Sequence, residues 1–280
     1  NYSELKSSLK KKHKFISKTD TEVILHLYEE IGEKCLNLLN GMFGIAIWNE
    51  ENKELFVARD RYGIRPLYIL HFNGKFYFAS EMKSFEVISN YNKKFDIENL
   101  YEHALLWNTL QDRTVYKDIE SLQSGTYRVY NENMSYNEYR YYEIGETERE
   151  NNISYNEAKE RFLAQLTESV DLRLRSDVPV GAYLSGGVDS SVTSLLAYKN
   201  KNELLQTFSV TFADREFDES KYQNEMAGFI NNKHESVNVT SDLICNSFIL
   251  AAKHFERPVF RTAPVPLFHL SDIVNRNNIK

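Results

Sequence analysis

Along the first half of the chain the period of apolar positions changes repeatedly. Val23, Ile24, Leu27, Tyr28 and Ile31 recur at helical spacing. The preceding Thr19-Asp20-Thr21-Glu22 sets a Ser/Thr residue three before a Glu, the pattern of a capping box, so a helix is expected from about Asp20. Beyond Gly41 the period shortens. Residues 42–48 are apolar and rich in β-formers, Glu50-Glu51-Asn52-Lys53 reads as a turn, and residues 54–58 resume the run, which predicts a β-hairpin. Residues 67–72 and 75–79 repeat that pattern around Asn73-Gly74, the strongest short hairpin signal. Helices and hairpins grouped this way predict an α+β domain. Residues 127–142 are crowded with Tyr and Asn, and residues 145–152 are polar without any period, so a domain boundary is placed there.

The second half alternates. Ser154-Tyr155-Asn156-Glu157 is another capping box, and Ala158, Phe162, Leu163, Leu166, Val170 and Leu174 form a helical stripe behind it. Short apolar runs at 180–184, 205–212 and 235–239 read as strands, with helices at 190–198, 219–230, 242–254 and 266–276. This βαβαβα order predicts a parallel sheet with right-handed crossovers, a doubly wound α/β domain.

Composition narrows the function. In 280 residues, 34 basic against 40 acidic side chains give a net charge of -6, so no global basic field exists to hold a nucleic acid. The most basic stretch, Lys10-Lys11-Lys12-His13-Lys14, reads as a solvated face. Cys35 and Cys245 lie far apart and suggest neither a disulfide framework nor a zinc site, which fits a reducing, cytoplasmic setting. No apolar run approaches the roughly 18 to 20 residues of a membrane span. The first residue is Asn1 and the last residues lead toward another strand, so the chain is expected to be a fragment.

The sharpest chemical signal is Leu184-Ser185-Gly186-Gly187-Val188-Asp189-Ser190-Ser191, between the first predicted strand of the α/β domain and its helix. Glycines there let backbone N–H groups approach an oxyanion, hydroxyls of Ser185, Ser190 and Ser191 add donors, and the helix N-terminus brings its positive end. The Lys of a GxxxxGK[ST] loop is absent, which argues against γ-phosphate transfer. Asp189 would repel phosphates unless it held a divalent cation, so Mg²⁺ bridging carboxylate and phosphates is implied.

SGGVDSS resembles the pyrophosphate loop of the ATP pyrophosphatases, and the wider SDVPVGAYLSGGVDSSVTSLLA resembles the glutamine-hydrolysing asparagine synthetases. Upstream, GMFGIAIW, VARDRYGIRPLYI and FYFASEMKSF are similar to the glutaminase domain of that family, and TDTEVILHLYEE to its glutamine-binding helix start. The likeness covers nearly the whole chain, with its motifs in the family's order. It implies a truncated α+β N-terminal-nucleophile (αββα) glutaminase domain over residues 1–145, then a truncated α/β ATP-pyrophosphatase-type domain over residues 154–280.

Carried over by residue, the resemblance makes Asp20 the carboxylate that holds the α-amino group of glutamine. It makes Ser185, Gly186, Gly187, Val188, Asp189, Ser190 and Ser191 the ATP pyrophosphate loop, with Leu184 and Val210 contacting the nucleotide through backbone and Asp189 as metal ligand. Arg59, Asp60 and Arg61 are expected mainly to build a structural corner, and Asp218 and Glu219 to cap a helix. Glutamine, aspartate and ATP are the implied substrates, Mg²⁺ the implied metal, and a homodimer is left open. The family's first-position Cys and its NGE segment lie outside this sequence, as does a GEGADE-like loop with a second metal carboxylate, so the fragment is expected to be inactive by itself. SLQSGTYRVY lacks the family's consecutive prolines, and ERPVFRTAPVP departs near Arg261. A β-lactam synthetase or other amide-forming relative, or a nonenzymatic nucleotide-binding remnant, are the alternatives.

Overall fold

The computed structural model describes residues 1–9, 13–110, 112–145, 153–201 and 205–279. Lys10, Lys11 and Lys12, and most of the polar segment 145–152, lie outside the described residues. The chain divides into two compact units, Asn1–Thr147 and Glu148–Lys280.

The first unit runs α1 (Tyr2–Leu9), α2 (Asp20–Ile31), α3 (Cys35–Leu38), β1 (Gly44–Asn49), β2 (Glu54–Arg59), β3 (Tyr68–Phe72), β4 (Lys75–Ala79), a 3-10 helix (Met82–Val87), α4 (Ile97–Leu106), β5 (Ile119–Ser121), β6 (Thr126–Tyr130) and β7 (Tyr136–Arg140). Two antiparallel sheets result, ordered β1-β2-β6-β7 and β4-β3-β5. Both predicted hairpins form. In the second, Phe72 pairs with Lys75 across Asn73 and Gly74, whose φ values of 51° and 69° are the left-handed pair that a two-residue turn demands.

Strand periodicity explains the layering, because alternate residues face opposite sides. On β2, Phe56 and Ala58 pack with Val23, Leu27 and Leu36 of the helices, whereas Val57 packs with Leu67, Ile69 and Leu122 next to the other sheet. On β3, Ile69 joins that inner core, and Leu70 turns outward to Met82, Phe85 and Tyr91. The unit is therefore helices, sheet, sheet, and a second outer layer.

The capping box expected at Thr19 does not form. Thr19 occupies the N-cap position of α2, but its side chain caps no N–H; instead Glu22 reaches back to the N–H groups of Ile16 and Ser17, each at 2.6 Å. The hydroxyl of Thr19 is drawn off to Ser17 Oγ at 2.8 Å.

The second unit runs α5 (Tyr155–Leu174), β8 (Gly181–Tyr183), α6 (Val188–Lys201), β9 (Gln206–Phe212), α7 (Ser220–Ile230), β10 (His234–Val239), α8 (Ser241–Phe255) and α9 (Pro264–Arg276). The three strands are parallel in the order β10-β9-β8. Among the described residues the order never reverses, so the switch point of a doubly wound sheet is not seen. One face of the sheet meets α5 and α6 through Val180, Ala182, Leu174 and Ala197; the other meets α9 through Phe208, Val210 and Leu270. Ser154 does cap α5, accepting from the Glu157 N–H at 3.2 Å. The stripe behind it is only half used: Val170 and Leu174 pack inward, while Phe162 and Leu163 are exposed.

Candidate functional site

β8 ends at Tyr183, and the chain enters α6 at Val188 through Leu184, Ser185, Gly186 and Gly187. Leu184 is buried, its N–H donates to the Phe208 carbonyl at 2.8 Å, and Ser209 Oγ donates to the Leu184 carbonyl, so the loop leaves directly from the sheet ladder. Gly186 turns the chain at φ +88°. A Cβ there would stand 3.2 Å from Tyr222 Cβ and 3.3 Å from the Glu219 carbonyl, and the left-handed backbone itself disfavours any other residue.

Hydroxyls tie the loop together. Ser185 N–H donates to Ser190 Oγ at 3.2 Å, the two serine oxygens are 2.9 Å apart, and Gly187 N–H donates to Ser185 Oγ at 3.3 Å. Ser190 Oγ and Ser191 Oγ donate to the Gly187 carbonyl at 3.1 and 2.8 Å. The first-turn N–H groups of Val188, Asp189 and Ser190 have no acceptor within the helix. With the positive end of the helix dipole, they leave a concavity of donors at the end of a parallel strand, with the polarity that suits an anion. Asp189 is exposed, and among the described residues its carboxylate makes no hydrogen bond and belongs to no metal-spaced cluster. Mg²⁺ keeps several waters and binds through one or two carboxylates plus substrate phosphates, so a single free carboxylate beside an anion site fits that metal.

Next to the loop lies a cleft of about 280 Å³ lined by Leu184, Ser185, Phe208, Val210, Phe217, Gln223, Pro266 and Leu267 among others. It is mainly apolar with a few polar groups, the character of a small-molecule site. Gln223 is buried; its Nε2 donates to the Val210 carbonyl at 2.9 Å and the Ser185 carbonyl at 3.4 Å, and among the described residues its Oε1 has no partner. Val210 thus lines the cleft with its carbonyl already engaged by Gln223. Gln223 escaped the sequence reading, yet its signal was there: it shares the buried face of α7 with Ala227 and Ile230, four and seven residues on, where an apolar side chain belongs. Asp218 caps as expected, accepting from the N–H groups of Phe212 and Ser220, and the Ser220 hydroxyl holds its carboxyl below the ordinary range. Glu219 takes the N-cap position of α7 without a side-chain bond.

In the first unit Asp20 is the first residue of α2, exposed, with no side-chain hydrogen bond among the described residues. The neighbouring Glu22 carboxyl is pulled down to about 2 by the Ile16 N–H and the Ser17 hydroxyl, which fixes the chain leading into the helix. The corner at 59–61 is built as expected. The buried Asp60 carboxylate accepts from the N–H groups of Phe43, Tyr62, Ile64 and Arg65, and Arg59 spends its guanidinium on the Gly63, Arg65 and Leu122 carbonyls. Arg61 keeps a buried Nε that has no partner among the described residues. Cys35 is fully buried, and burial pushes its thiol up to about 11, so it is a packing residue and no nucleophile. Cys245 is exposed.

Residues 1–142 match the family model of the glutamine amidotransferase domain, and residues 161–280 that of asparagine synthase. The chain belongs to the glutamine amidotransferase domain family and joins that domain to a segment of the asparagine synthase family. It is 31% identical over 274 residues to asparagine synthetase [glutamine-hydrolyzing] 1 of Bacillus subtilis (strain 168), covering 97% of this chain and 42% of that protein. It is 32% identical over 243 residues to putative asparagine synthetase [glutamine-hydrolyzing] 2 of Methanocaldococcus jannaschii, covering 84% of this chain and 45% of that one. The chain thus spans less than half the length of these relatives. The solved glutamine phosphoribosylpyrophosphate amidotransferase of B. subtilis overlaps 85% of this chain and 58% of its own at 16% identity and a TM-score of 0.38, too slight a likeness to bear on the fold.

Proposed function

We propose that the whole protein is a glutamine-hydrolysing amide ligase that converts aspartate to asparagine, with ATP split to AMP and pyrophosphate. The observation that carries this is the loop from Leu184 to Ser191, a donor-rich anion concavity opening beside an apolar cleft, in a chain that joins it to a glutamine amidotransferase domain. A carboxylate is a poor electrophile. Transfer of the AMP portion of ATP onto the aspartate side-chain oxygen gives β-aspartyl-AMP, from which ammonia displaces a good leaving group.

In this mechanism the adenine lies in the cleft against Leu184, Val210 and Phe208, and the β- and γ-phosphates sit over Gly186, Gly187 and the first turn of α6. The N–H groups of Val188, Asp189 and Ser190, and the hydroxyls of Ser185, Ser190 and Ser191 once they turn from one another and from the Gly187 carbonyl, stabilise charge gathering on the departing pyrophosphate, the electrostatic contribution that usually dominates such transfers. Mg²⁺ held by Asp189 would neutralise phosphate charge. In the first unit, Asp20 holds the α-ammonium of glutamine, whose amide supplies the ammonia.

The experiment is a product assay on the full-length enzyme with aspartate, ATP, Mg²⁺ and either glutamine or ammonium. Equimolar AMP, pyrophosphate and asparagine are expected. Formation of ADP and phosphate, or no dependence on aspartate, would overturn the assignment.

A further inference from the structure

We propose that His13, His26 and Glu29 form a site for one divalent transition-metal ion of the zinc class, apart from the nucleotide loop. His26 and Glu29 stand three residues apart on α2 and so share a face, and His13 comes from the segment that leads into the helix. One ligand atom from each lies within 4.8 Å of the others. Glu29 Oε2 is 2.8 Å from His26 Nδ1 and 3.8 Å from His13 Nδ1. The longer distance is no hydrogen bond, and tetrahedral zinc with ligands at about 2.0–2.1 Å spaces its donors by roughly 3.4 Å. The two imidazole centroids are 4.3 Å apart with their planes tilted by 30°, so ligation of one ion requires the rings to reorient about χ2.

The surroundings favour such an ion. His13 Nε2 is 3.0 Å from Glu30 Oε1, which draws the ring hydrogen to Nε2 and leaves Nδ1 as the lone-pair nitrogen facing Glu29. A carboxylate behind a histidine in this way orients metal ligands and raises their basicity. His26 Nε2 is buried and, among the described residues, has no hydrogen-bond partner; it lies 3.8 Å from Glu22 Oε1. Coordination through Nδ1 moves the His26 hydrogen to Nε2, where it faces the Glu22 carboxylate. Among the described residues, Glu22 and Glu29 form ion pairs with these imidazoles alone, so the pocket has negative charge for a cation to neutralise. The bound ion would clamp the segment from His13 onto α2.

The test is calorimetric titration of the purified protein with zinc chloride at neutral pH, paralleled by cobalt(II) absorption to report tetrahedral ligation. One equivalent should bind. His13→Ala and Glu29→Gln, one outside the helix and the other half-exposed on it, should each weaken binding by at least about tenfold, and Glu30→Gln by a smaller factor. Cys245→Ser, which removes the exposed thiol, should leave binding unchanged. Circular dichroism establishes that each variant is folded. Absence of zinc binding by the folded wild type, binding indifferent to both His13→Ala and Glu29→Gln, or loss with Cys245→Ser alone would overturn the proposal.

Discussion

Gln223 Nε2 lies 2.9 Å from the carbonyl oxygen of Val210, and the same nitrogen reaches Ser185 at 3.4 Å, so one buried amide links β9 to the glycine loop. A buried carbonyl that loses its donor costs about 1–3 kcal/mol. Gln223→Leu should lower the unfolding free energy of the second unit by about that amount and weaken ATP binding. Denaturant unfolding and ATP titration check both; a variant equal to wild type in both would reduce Gln223 to a packing role.

Gly186 makes a sharper test, because strain and crowding coincide. A left-handed non-glycine residue costs of order 1–3 kcal/mol, and its Cβ would press on Tyr222. Gly186→Ala should destabilise the protein and abolish magnesium-dependent ATP binding. Gly228, inside α7 with open space where its Cβ would be, is the internal control: Gly228→Ala should stabilise by up to about 1 kcal/mol. If both variants behaved alike in nucleotide titration, the loop would not be the phosphate site.

Regions with an ordinary hydrophobic pattern were legible in the sequence, and regions that invert it were not. The two hairpins bury apolar side chains such as Ile45, Phe56, Val57, Ile69 and Leu70, and β9 buries Phe208. β6 instead alternates Thr126, Arg128 and Tyr130 inward, with a guanidinium in the core, and β7 exposes every residue, so neither announces itself as a strand. α4 buries Asn99 and His103 while Ile97, Tyr101 and Leu105 face out, which reverses the amphipathic rule. The turn from β8 through Gly186 and Gly187 into α6 was readable because its residues are contiguous. Gln223 reaches that loop from another helix: its spacing to Ala227 and Ile230 marks it as a buried polar residue, but nothing local names the carbonyls of Val210 and Ser185 as its partners.

Asp20→Asn separates the two proposed sites. The substitution keeps size and shape but removes the charge that would hold a ligand ammonium. In the full-length enzyme it should raise KM for glutamine and depress glutamine-dependent synthesis, while synthesis from added ammonium chloride continues at the wild-type rate. Equal losses with both nitrogen donors would instead mark Asp20 as a structural residue of the helix start.

Glu22 gives a pH dependence of defined sign. Its folded carboxyl is lowered to about 2 from an ordinary value near 4.5, first by the Ile16 N–H and then by the Ser17 hydroxyl. A depressed carboxyl contributes stability that is fully present above the unfolded value and lost as pH falls through the folded one. Wild-type stability should therefore drop between about pH 4.5 and pH 2 more steeply than that of Glu22→Gln. Thermal melts across this window, giving identical slopes for the two proteins, would remove the anchoring role of Glu22.

Arg128 should be the most costly polar residue of the first unit to replace. Only 1% of its side chain is exposed; Nε donates to Glu138 Oε2 and Nη1 to Glu120 Oε2, each at 2.6 Å, and the guanidinium lies 4.4 Å from the centre of the Tyr136 ring. Burial opposes its charge, but hydrogen bonds with Tyr130, Glu120 and Glu138 outweigh that cost and hold its pKa above the ordinary value. Breaking a buried pair by removing one partner costs about 3–5 kcal/mol, and the partial exposure of these carboxylates brings the expectation for Arg128→Met to about 2–4 kcal/mol. Arg128→Lys should recover little of this, because an ammonium cannot present two diverging donors to Glu120 and Glu138 at once. Glu138→Gln should cost less than either, since Glu120 still balances the guanidinium. Denaturant unfolding ranks the three variants, and an Arg128→Lys protein as stable as wild type would show that charge alone, and not the planar fork, holds β6 to its neighbours.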